Sequence, residues 1–437
     1  MQTPPGLFLR TRWTRLAAAI VIAFAATPSQ AQSERIAELE RKLEQTLQQL
    51  DKLTQRIQQV ESGAAARPAA AGVAAPPELA TRVQQLEQEV GAMAARPGDD
   101  HGLALRGFAD VGWVGGSKGR KAGGNVGSLD FYLTPSFGDR VRSLIELTFE
   151  VSPEGSVVGD LERLQVGYTV ADELTVWLGR FHTPLGYWNT AYHHGAQIQT
   201  SIQRPVFLDF EDRGGVLPAH TVGLWGTGAA KLAGGRLNYD VYVGNAPGIV
   251  DADASKPGSA ALDPGMNGAA HRAPTFGANL NYGFGGALQG LTLGAHALTG
   301  KVADSLATPN DTRLGVYGGW LTYLERDWEV LGEWYSFRNR DLSGPSGTHT
   351  SQAGYLQIGR TLGSLTPFAR YERASFDQSD NYFAQLRGGQ SYKRVALGVR
   401  YEMNPAVALK LEANRTELTD RETGSYSEVR AQWAVRF

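Results

Sequence analysis

Apolar and polar residues alternate with a period of two through most of the chain between residues 101 and 437. In the segment 429–437, every odd position is apolar or small, and three of the four even positions are polar. Charged residues take the alternate positions of further segments, as Arg142 and Glu146 do beside Val141 and Ile145. This period predicts β-strands with one apolar face and one hydrated face.

Sixteen segments follow this pattern, and the connections between them alternate in length. The predicted strands are 103–113, 128–137, 141–151, 160–170, 173–182, 218–230, 235–245, 274–284, 289–300, 313–324, 327–338, 352–362, 365–376, 392–403, 406–418 and 426–437. Tight turns such as Gly138-Asp139 alternate with long loops, of which 183–217 is the longest. This arrangement is typical of bacterial transmembrane barrels. The sequence therefore predicts an all-β fold, a 16-stranded antiparallel transmembrane β-barrel at 101–437.

The charged alternants also predict which side chains face the interior of the barrel. Aliphatic residues outside and charged residues inside are the reverse of a soluble barrel, and they suit an exterior that faces lipid. Sixteen strands enclose an interior wide enough for an aqueous channel. The predicted pore-wall residues are Arg106, Arg142, Arg163, Arg394, Arg400, Glu146 and Glu333.

Residues 1–31 have the pattern of a secretory signal peptide. Arg10, Arg12 and Arg15 precede an apolar run at 16–26, and small residues at 29–31 offer a cleavage site. The apolar run is too short to cross a bilayer as a helix. Together with a final amphipathic strand that ends on Phe437, this signal predicts a protein of the Gram-negative outer membrane.

Residues 32–61 carry a heptad repeat that predicts a short α-helical coiled coil. Only Thr46 interrupts its apolar seam, and the mixture of Ile and Leu in that seam is compatible with a trimer. A single amphipathic helix is the alternative. An Ala/Pro/Gly-rich linker at 62–78 and a second short helix at 79–95 follow. We expect this periplasmic segment to hold chains together or to contact periplasmic or cell-wall partners.

The composition excludes several kinds of chemistry. The absence of cysteine excludes disulfides and thiolate catalysis, and a net charge of -2 argues against a nucleic-acid partner. The chain has no P-loop, G-x-S-x-G or zinc-protease motif, so we predict neither an enzyme nor a cofactor. The alternative, a barrel hydrolase, would need a nucleophile and a base, such as Ser201 with His193 or His194 and Asp209.

The loop 183–217 is the predicted constriction of the pore, because it is long and carries charged and aromatic residues. Its predicted constriction residues are Arg204, Asp209, Glu211, Asp212, Arg213, His193, His194, Tyr187 and Trp188. Rings of one charge sign set the selectivity of a pore, but this loop mixes both signs. The sequence therefore leaves anion or cation preference open.

Three histidines in this region could bind a metal, respond to pH or form ordinary hydrogen bonds. His182, His193 and His194 lie within thirteen residues. Adjacent histidines in an extended segment do not ordinarily point the same way, and no known ligand spacing is met. The sequence therefore favours hydrogen-bonding histidines and predicts no metal site, although their titration near neutral pH could still affect the pore.

The layout resembles the trimeric sixteen-stranded porins, in which the loop after the fifth strand folds into the lumen. Within them, the coiled-coil segment and the stretch Gly179-Arg180-Phe181-His182-Thr183-Pro184-Leu185-Gly186 resemble the phosphate-selective porin (O and P) family. The resemblance implies a homotrimer in outer-membrane lipid and passive diffusion of small hydrophilic solutes or ions, including phosphate. Phosphate selectivity in that family rests on pore arginines and lysines, whereas 183–217 contains no lysine. An outer-membrane anchor with a partner-binding coiled coil is the alternative.

Overall fold

The computed structural model describes residues 105–437, except 118–119, 121, 136, 152–154, 193, 212, 252, 254, 257, 267, 269–272 and 305–310. The described residues belong to one compact unit, Asp99–Phe437. The predicted signal peptide, coiled coil, linker and second helix, at 1–31, 32–61, 62–78 and 79–95, lie outside the described residues. None of the helices in the described part of the chain has the length and apolar character needed to cross a membrane.

Strands dominate the described residues. They are β1 Leu105–Gly116, β2 Gly123–Leu133, β3 Val141–Val151, β4 Val157–Ala171, β5 Leu174–His182, β6 His220–Leu232, β7 Gly235–Gly244, β8 Gly248–Val250, β9 Ala261–Asp263, β10 Thr275–Gly283, β11 Leu291–Asp304, β12 Thr312–Glu325, β13 Trp328–Asp341, β14 Thr348–Arg360, β15 Leu365–Ser375, β16 Tyr392–Asn404, β17 Val407–Thr419 and β18 Thr423–Arg436. Two short helices, α1 Trp188–Ala191 and α2 Asn381–Gln385, and two 3₁₀ turns, Val206–Leu208 and Gly286–Leu288, lie in the connections.

Sixteen of these strands close into one antiparallel barrel, as the alternation predicts. Each pairs with its neighbour along the chain, β7 pairs with β10, and β1 pairs with β18 to complete the ring. At the closure, the backbone N–H of Gly107 donates to the carbonyl of Phe437 at 2.9 Å, and Phe437 donates back at 3.0 Å. The short strands β8 and β9 pair with each other inside the connection between β7 and β10.

The two faces of the barrel differ in polarity in the predicted sense. On the outer face, Val166, Leu178 and Leu397 expose 51%, 64% and 57% of their surface. On the inner face, Glu146 and Glu372 are fully buried. Exposed aliphatic residues around buried charges are expected of a barrel whose exterior faces hydrocarbon.

An apolar cluster inside the barrel joins the connection after β5 to one side of the wall. Phe181 lies on β5, Trp188 and Phe207 lie in the connection that follows it, and Leu331 and Tyr335 lie on β13. All five are at most 1% exposed. Burial of this much apolar surface stabilises the connection in one position against the inner face.

Candidate functional site

The connection between β5 and β6 crosses the interior and is held by wall carboxylates. Glu333, on β13, accepts hydrogen bonds from the backbone N–H groups of Tyr187 at 2.8 Å and Trp188 at 2.7 Å. The hydroxyls of Tyr335 and Tyr355 donate to the same carboxylate, each at 2.8 Å. Because a buried backbone N–H needs a partner, Glu333 fixes the start of α1 against the opposite wall.

Two further carboxylates repeat this arrangement farther along the loop. Glu412, on β17, accepts from the backbone N–H of Ile202 at 2.8 Å. Glu372, on β15, accepts from the backbone N–H of Val206 at 2.8 Å. The loop is therefore bonded to three separate strands of the wall through its own main chain.

Wall cations complement the carboxylates by donating to loop oxygens. Lys410 donates to the carbonyls of Ala196 and, at 3.1 Å, Ser201. Arg400 donates to the carbonyls of Gln197 and, at 3.1 Å, Gln199. The predicted pore-wall residue Arg400 thus faces inward, but its guanidinium is occupied by the loop.

Arg370 and Arg394 contribute to the same anchorage. Arg370 donates to the hydroxyl of Ser201 at 2.9 Å, and Arg394 donates to the side-chain oxygen of Gln203. Ser201 is fully buried, and its own hydroxyl donates to the carbonyl of Gln203 at 3.0 Å. Among the described residues, Ser201 bonds to these groups and not to His194, and His193, the other base considered from the sequence, lies outside the described residues.

The other predicted pore-wall residues lie on β1, β3 and β4. Arg163 pairs with Glu146 across β3 and β4. Arg142 donates to the hydroxyl of Thr169 at 3.3 Å near the tight-turn end and is exposed there. Arg106 is likewise exposed, on β1.

A polar cavity of about 460 Å³ lies between the loop and the barrel wall. Its lining is supplied by the loop on one side and by β1–β3, β16 and β18 on the other. The charged side chains that line it are Arg204, Arg213, Arg394, Arg430, Asp110, Glu150 and Asp209, together with His194. Arginines therefore outnumber carboxylates, four to three, among the described lining residues.

The two loop arginines, Arg204 and Arg213, both lie over the ring of Phe210. The guanidinium of Arg204 lies 4.0 Å from the centre of the Phe210 ring and donates to the carbonyl of Leu208 at 2.8 Å. Burial lowers the pKa of Arg204 to about 10, although the Asp209 carboxylate opposes this shift, so the side chain stays charged at neutral pH. Arg213 pairs with Glu150 and lies 5.4 Å from the same ring.

The predicted constriction residues therefore have different positions. Arg204, Asp209, Arg213 and His194 line the cavity. The two predicted aromatic residues, Tyr187 and Trp188, do not line it. Trp188 is fully buried below Arg370, and Tyr187 is half-buried against Trp320, with 5.4 Å between their ring centres. The predicted residues His193 and Asp212 lie outside the described residues.

Histidines and glutamates meet beside this cavity, and His194 is the member of this group that lines it. His220 Nε2 lies 2.7 Å from Glu162 Oε2, and His194 Nε2 lies 3.2 Å from Glu162 Oε1. His182 Nε2 lies 3.2 Å from a carboxylate oxygen of Glu146. This histidine–glutamate cluster comprises Glu146, Glu162, His182, His194, His220 and Glu211, whose carboxylate accepts from the backbone N–H of His220 at 2.8 Å.

A β-bulge places Glu162 in the cluster. Glu146 is opposite Arg163, but the next residue, Leu147, is opposite Leu161, so Glu162 is the extra residue on β4. Simple alternation from Leu164 would turn Glu162 outward. The bulge instead turns both Glu162 and Arg163 toward the interior.

Sequence reasoning missed Glu162 and His220 for two reasons. The bulge is invisible in the alternation, and His220 is 26 positions away from His194 in the sequence. One signal was present, since β5 and β6 flank the loop and would pair. His182 and His220 are opposite each other in that pairing.

Comparison with known proteins identifies the fold. No protein-family model matches the chain, and no curated protein matches it. Among solved structures, the anion-selective porin from Comamonas acidovorans has a TM-score of 0.53 at 13% identity, over 77% of this chain and 99% of that chain. The outer membrane channel DcaP of Acinetobacter baumannii has a TM-score of 0.49 at 12% identity, over 77% of this chain and 97% of that chain.

At these identities, the similarity to the Comamonas acidovorans structure establishes a porin-type barrel and nothing finer. The 16-stranded fold is confirmed. The resemblance to the phosphate-selective family, the homotrimer, the outer-membrane location and the absence of enzymatic activity stay predictions.

Proposed function

We propose that this protein is a passive outer-membrane channel for small hydrophilic solutes and ions, narrowed by the loop 183–217. The observation that carries the proposal is the polar cavity of about 460 Å³ left between the anchored loop and the barrel wall. A 16-stranded barrel would otherwise enclose a wider aqueous space. Apolar residues cover the outer face, as insertion into lipid requires.

The charges around the cavity favour a mild preference for anions. Four arginines face three carboxylates there. One of the arginines, Arg430, lies 3.3 Å from Glu428, which Arg120 also contacts at 3.3 Å. Phosphate belongs to the proposed class of solutes, but an excess of one arginine is insufficient for strong selectivity.

The proposal extends to location and assembly. The signal peptide pattern at 1–31 supports export to the outer membrane of a Gram-negative cell, and the heptad at 32–61 supports a homotrimer. The heptad also supports the alternative role, an anchor whose coiled coil binds periplasmic or cell-wall partners. We propose no catalytic role, because the buried Ser201 is committed to Arg370 and Gln203.

Reconstitution in a planar bilayer tests this function. The proposal predicts discrete conductance steps and, in a salt gradient, a reversal potential that favours anions weakly. Wild-type protein that inserts as a folded barrel without conducting would contradict the channel function and leave the anchor as the better account. A second arm compares the full chain with one lacking 32–100, and unchanged conductance there would assign that segment to assembly or partner binding.

A further inference from the structure

The geometry points to a transition-metal site of the Zn²⁺ class at Glu162, His194 and His220. The carboxylate of Glu162 lies between two imidazoles, with one oxygen facing Nε2 of His220 at 2.7 Å and the other facing Nε2 of His194 at 3.2 Å. One ligand atom from each residue lies within 4.8 Å of the other two. Metal binding at this site does not depend on the channel function proposed above, and it can be measured without recording conductance.

Zinc binds imidazole nitrogen and carboxylate oxygen at about 2.0–2.2 Å, so two ligand atoms of a tetrahedral centre are about 3.3 Å apart. The contact between Glu162 and His194 has this separation, and the contact between Glu162 and His220 is shorter. A bound ion would replace these direct contacts between the carboxylate and the two imidazoles. Two imidazoles with one carboxylate favour Zn²⁺, Co²⁺ or Ni²⁺ over Mg²⁺ and Ca²⁺, which prefer oxygen ligands alone.

Each histidine also has a carboxylate behind it. Nδ1 of His220 lies within hydrogen-bonding distance of an oxygen of Glu211, at 3.1 Å, whereas Nδ1 of His194 lies 3.8 Å from an oxygen of Asp130, which is a charge contact and too long for a hydrogen bond. Metal-binding histidines almost always donate their second ring N–H to such a group, which fixes the tautomer and directs the other nitrogen at the ion. An ordinary histidine–glutamate pair does not require this second carboxylate.

The three proposed ligands come from three different elements of the structure. Glu162 is the bulged residue of β4, His220 is the first residue of β6, and His194 lies in the loop that the wall carboxylates hold. Arg180 also approaches Glu162, at 3.4 Å, and the charge of its guanidinium opposes a bound cation. Arg163, which pairs with Glu146, adds a second positive charge nearby, and the three carboxylates Glu146, Glu211 and Asp130 still outnumber the two guanidinium groups.

The site borders the polar cavity. His194 is one of the lining residues of that cavity, and the side chains of His194, Glu162 and His220 are 6%, 9% and 4% exposed. Three protein ligands leave a fourth position for water or for a solute, which is the arrangement of exchangeable rather than closed zinc sites. A bound ion would add two positive charges beside the cavity.

Titration of the untagged, refolded barrel with ZnCl₂ tests the site, with Co²⁺ absorption as a second measurement. We expect one Zn²⁺ per chain, and Co²⁺ should give the intense visible bands of four-coordinate cobalt. Glu162→Gln and His220→Gln should abolish this binding. Glu211→Gln, which leaves all three ligands in place, should weaken it by about 10- to 100-fold.

His349→Gln is the matched control, because His349 Nδ1 contacts Asp377 at 2.8 Å away from the cluster. It should bind Zn²⁺ as the wild type does. Wild-type protein without saturable binding of one Zn²⁺ per chain would overturn the assignment, as would equal binding by Glu162→Gln. If the Glu162 variant does not refold, His194→Gln and Glu211→Gln decide in the same way.

Discussion

The carboxylate of Glu333, on β13, accepts a hydrogen bond from the backbone N–H of Trp188 at 2.7 Å, which ties the loop after β5 to the far wall of the barrel. Three other donors, the N–H of Tyr187 and the hydroxyls of Tyr335 and Tyr355, reach the same carboxylate. The width of the proposed channel therefore depends on a few buried acidic residues that no permeating solute needs to touch.

Replacing Glu333 with alanine should release the start of the loop. Each buried donor that loses its acceptor costs about 1–3 kcal/mol, so the variant should unfold at a lower temperature than the wild type. Its single-channel conductance should rise and become noisier. Glu325→Gln, at the end of β12, is the control and should change neither property, and a Glu333→Ala channel indistinguishable from it would contradict this role.

Gly186 offers a second test of the same contact. Its φ of +74° is matched by Gly234, at +80°, in the turn between β6 and β7. A methyl group at Gly186 would overlap the Tyr335 hydroxyl and the Glu333 carboxylate, whereas one at Gly234 would meet open space. Both alanine variants carry the backbone strain of about 1 kcal/mol or more, but only Gly186→Ala should also alter conductance.

Thermal melting shows whether each glycine variant is folded. If both are folded and have equal conductance, the conductance does not depend on the contact between Gly186 and Glu333, and the proposed role of this contact in setting the channel width would be wrong.

Charge changes around the cavity should move the reversal potential in opposite directions. Arg430→Gln removes a positive charge from the lining while Glu428 keeps its contact with Arg120, so the channel should become less favourable to anions. Asp110→Asn removes a negative charge from the same lining and should have the opposite effect.

Arg415→Gln is the control for these two variants, since Arg415 is an exposed arginine of β17 outside the cavity lining. Reversal potentials are measured for all three in one salt gradient. A shift in the same direction for Arg430→Gln and Asp110→Asn would contradict a pathway through this cavity.

Acid should loosen the connection between β15 and β16 through Asp377. A hydrogen bond from Ser379 lowers the pKa of Asp377; slight burial opposes this, and His349 adds to the lowering. Because the folded pKa lies below its ordinary value, the stabilisation is present at neutral pH and is lost as the pH falls below about 4. Pepsin should therefore cut Asp377→Asn near Phe383 faster than it cuts the wild type at about pH 5, and the ratio of the two rates should approach one as the pH falls below the folded pKa of Asp377. The ratio cancels the pH dependence of pepsin itself.

The sequence was sufficient to predict the barrel, because the alternation within each segment decides which side chains share a face of its strand. β3 has the predicted bounds of 141–151, and the closing pair of strands is as expected. The largest shift is in β2, predicted at 128–137 and observed at Gly123–Leu133. Thr134-Pro135 ends that strand early, since proline lacks a backbone donor. The first residues of β2, which include Gly124 and Asn125, pair with β1. Their polarity does not alternate, so the sequence pattern did not predict them as part of the strand.

The interior was harder to predict because its contacts join distant parts of the chain. The eighteen described strands include β8 and β9, which have three residues each and are too short to give a periodic pattern. The inward direction of Arg400 follows from alternation, but its bonds to loop carbonyls do not. Glu162 required knowledge of a bulge, which depends on how two strands pair.

The most direct test of the proposed channel uses the absence of cysteine from the chain. A single cysteine at Asp209, on the cavity lining, is modified by a bulky charged thiol reagent during single-channel recording. Ser364→Cys, exposed in the turn between β14 and β15, is the accessible control. Modification should reduce the conductance stepwise at Asp209→Cys and leave the conductance of Ser364→Cys unchanged. Conductance that is unaffected after complete modification at Asp209→Cys would contradict permeation through this cavity.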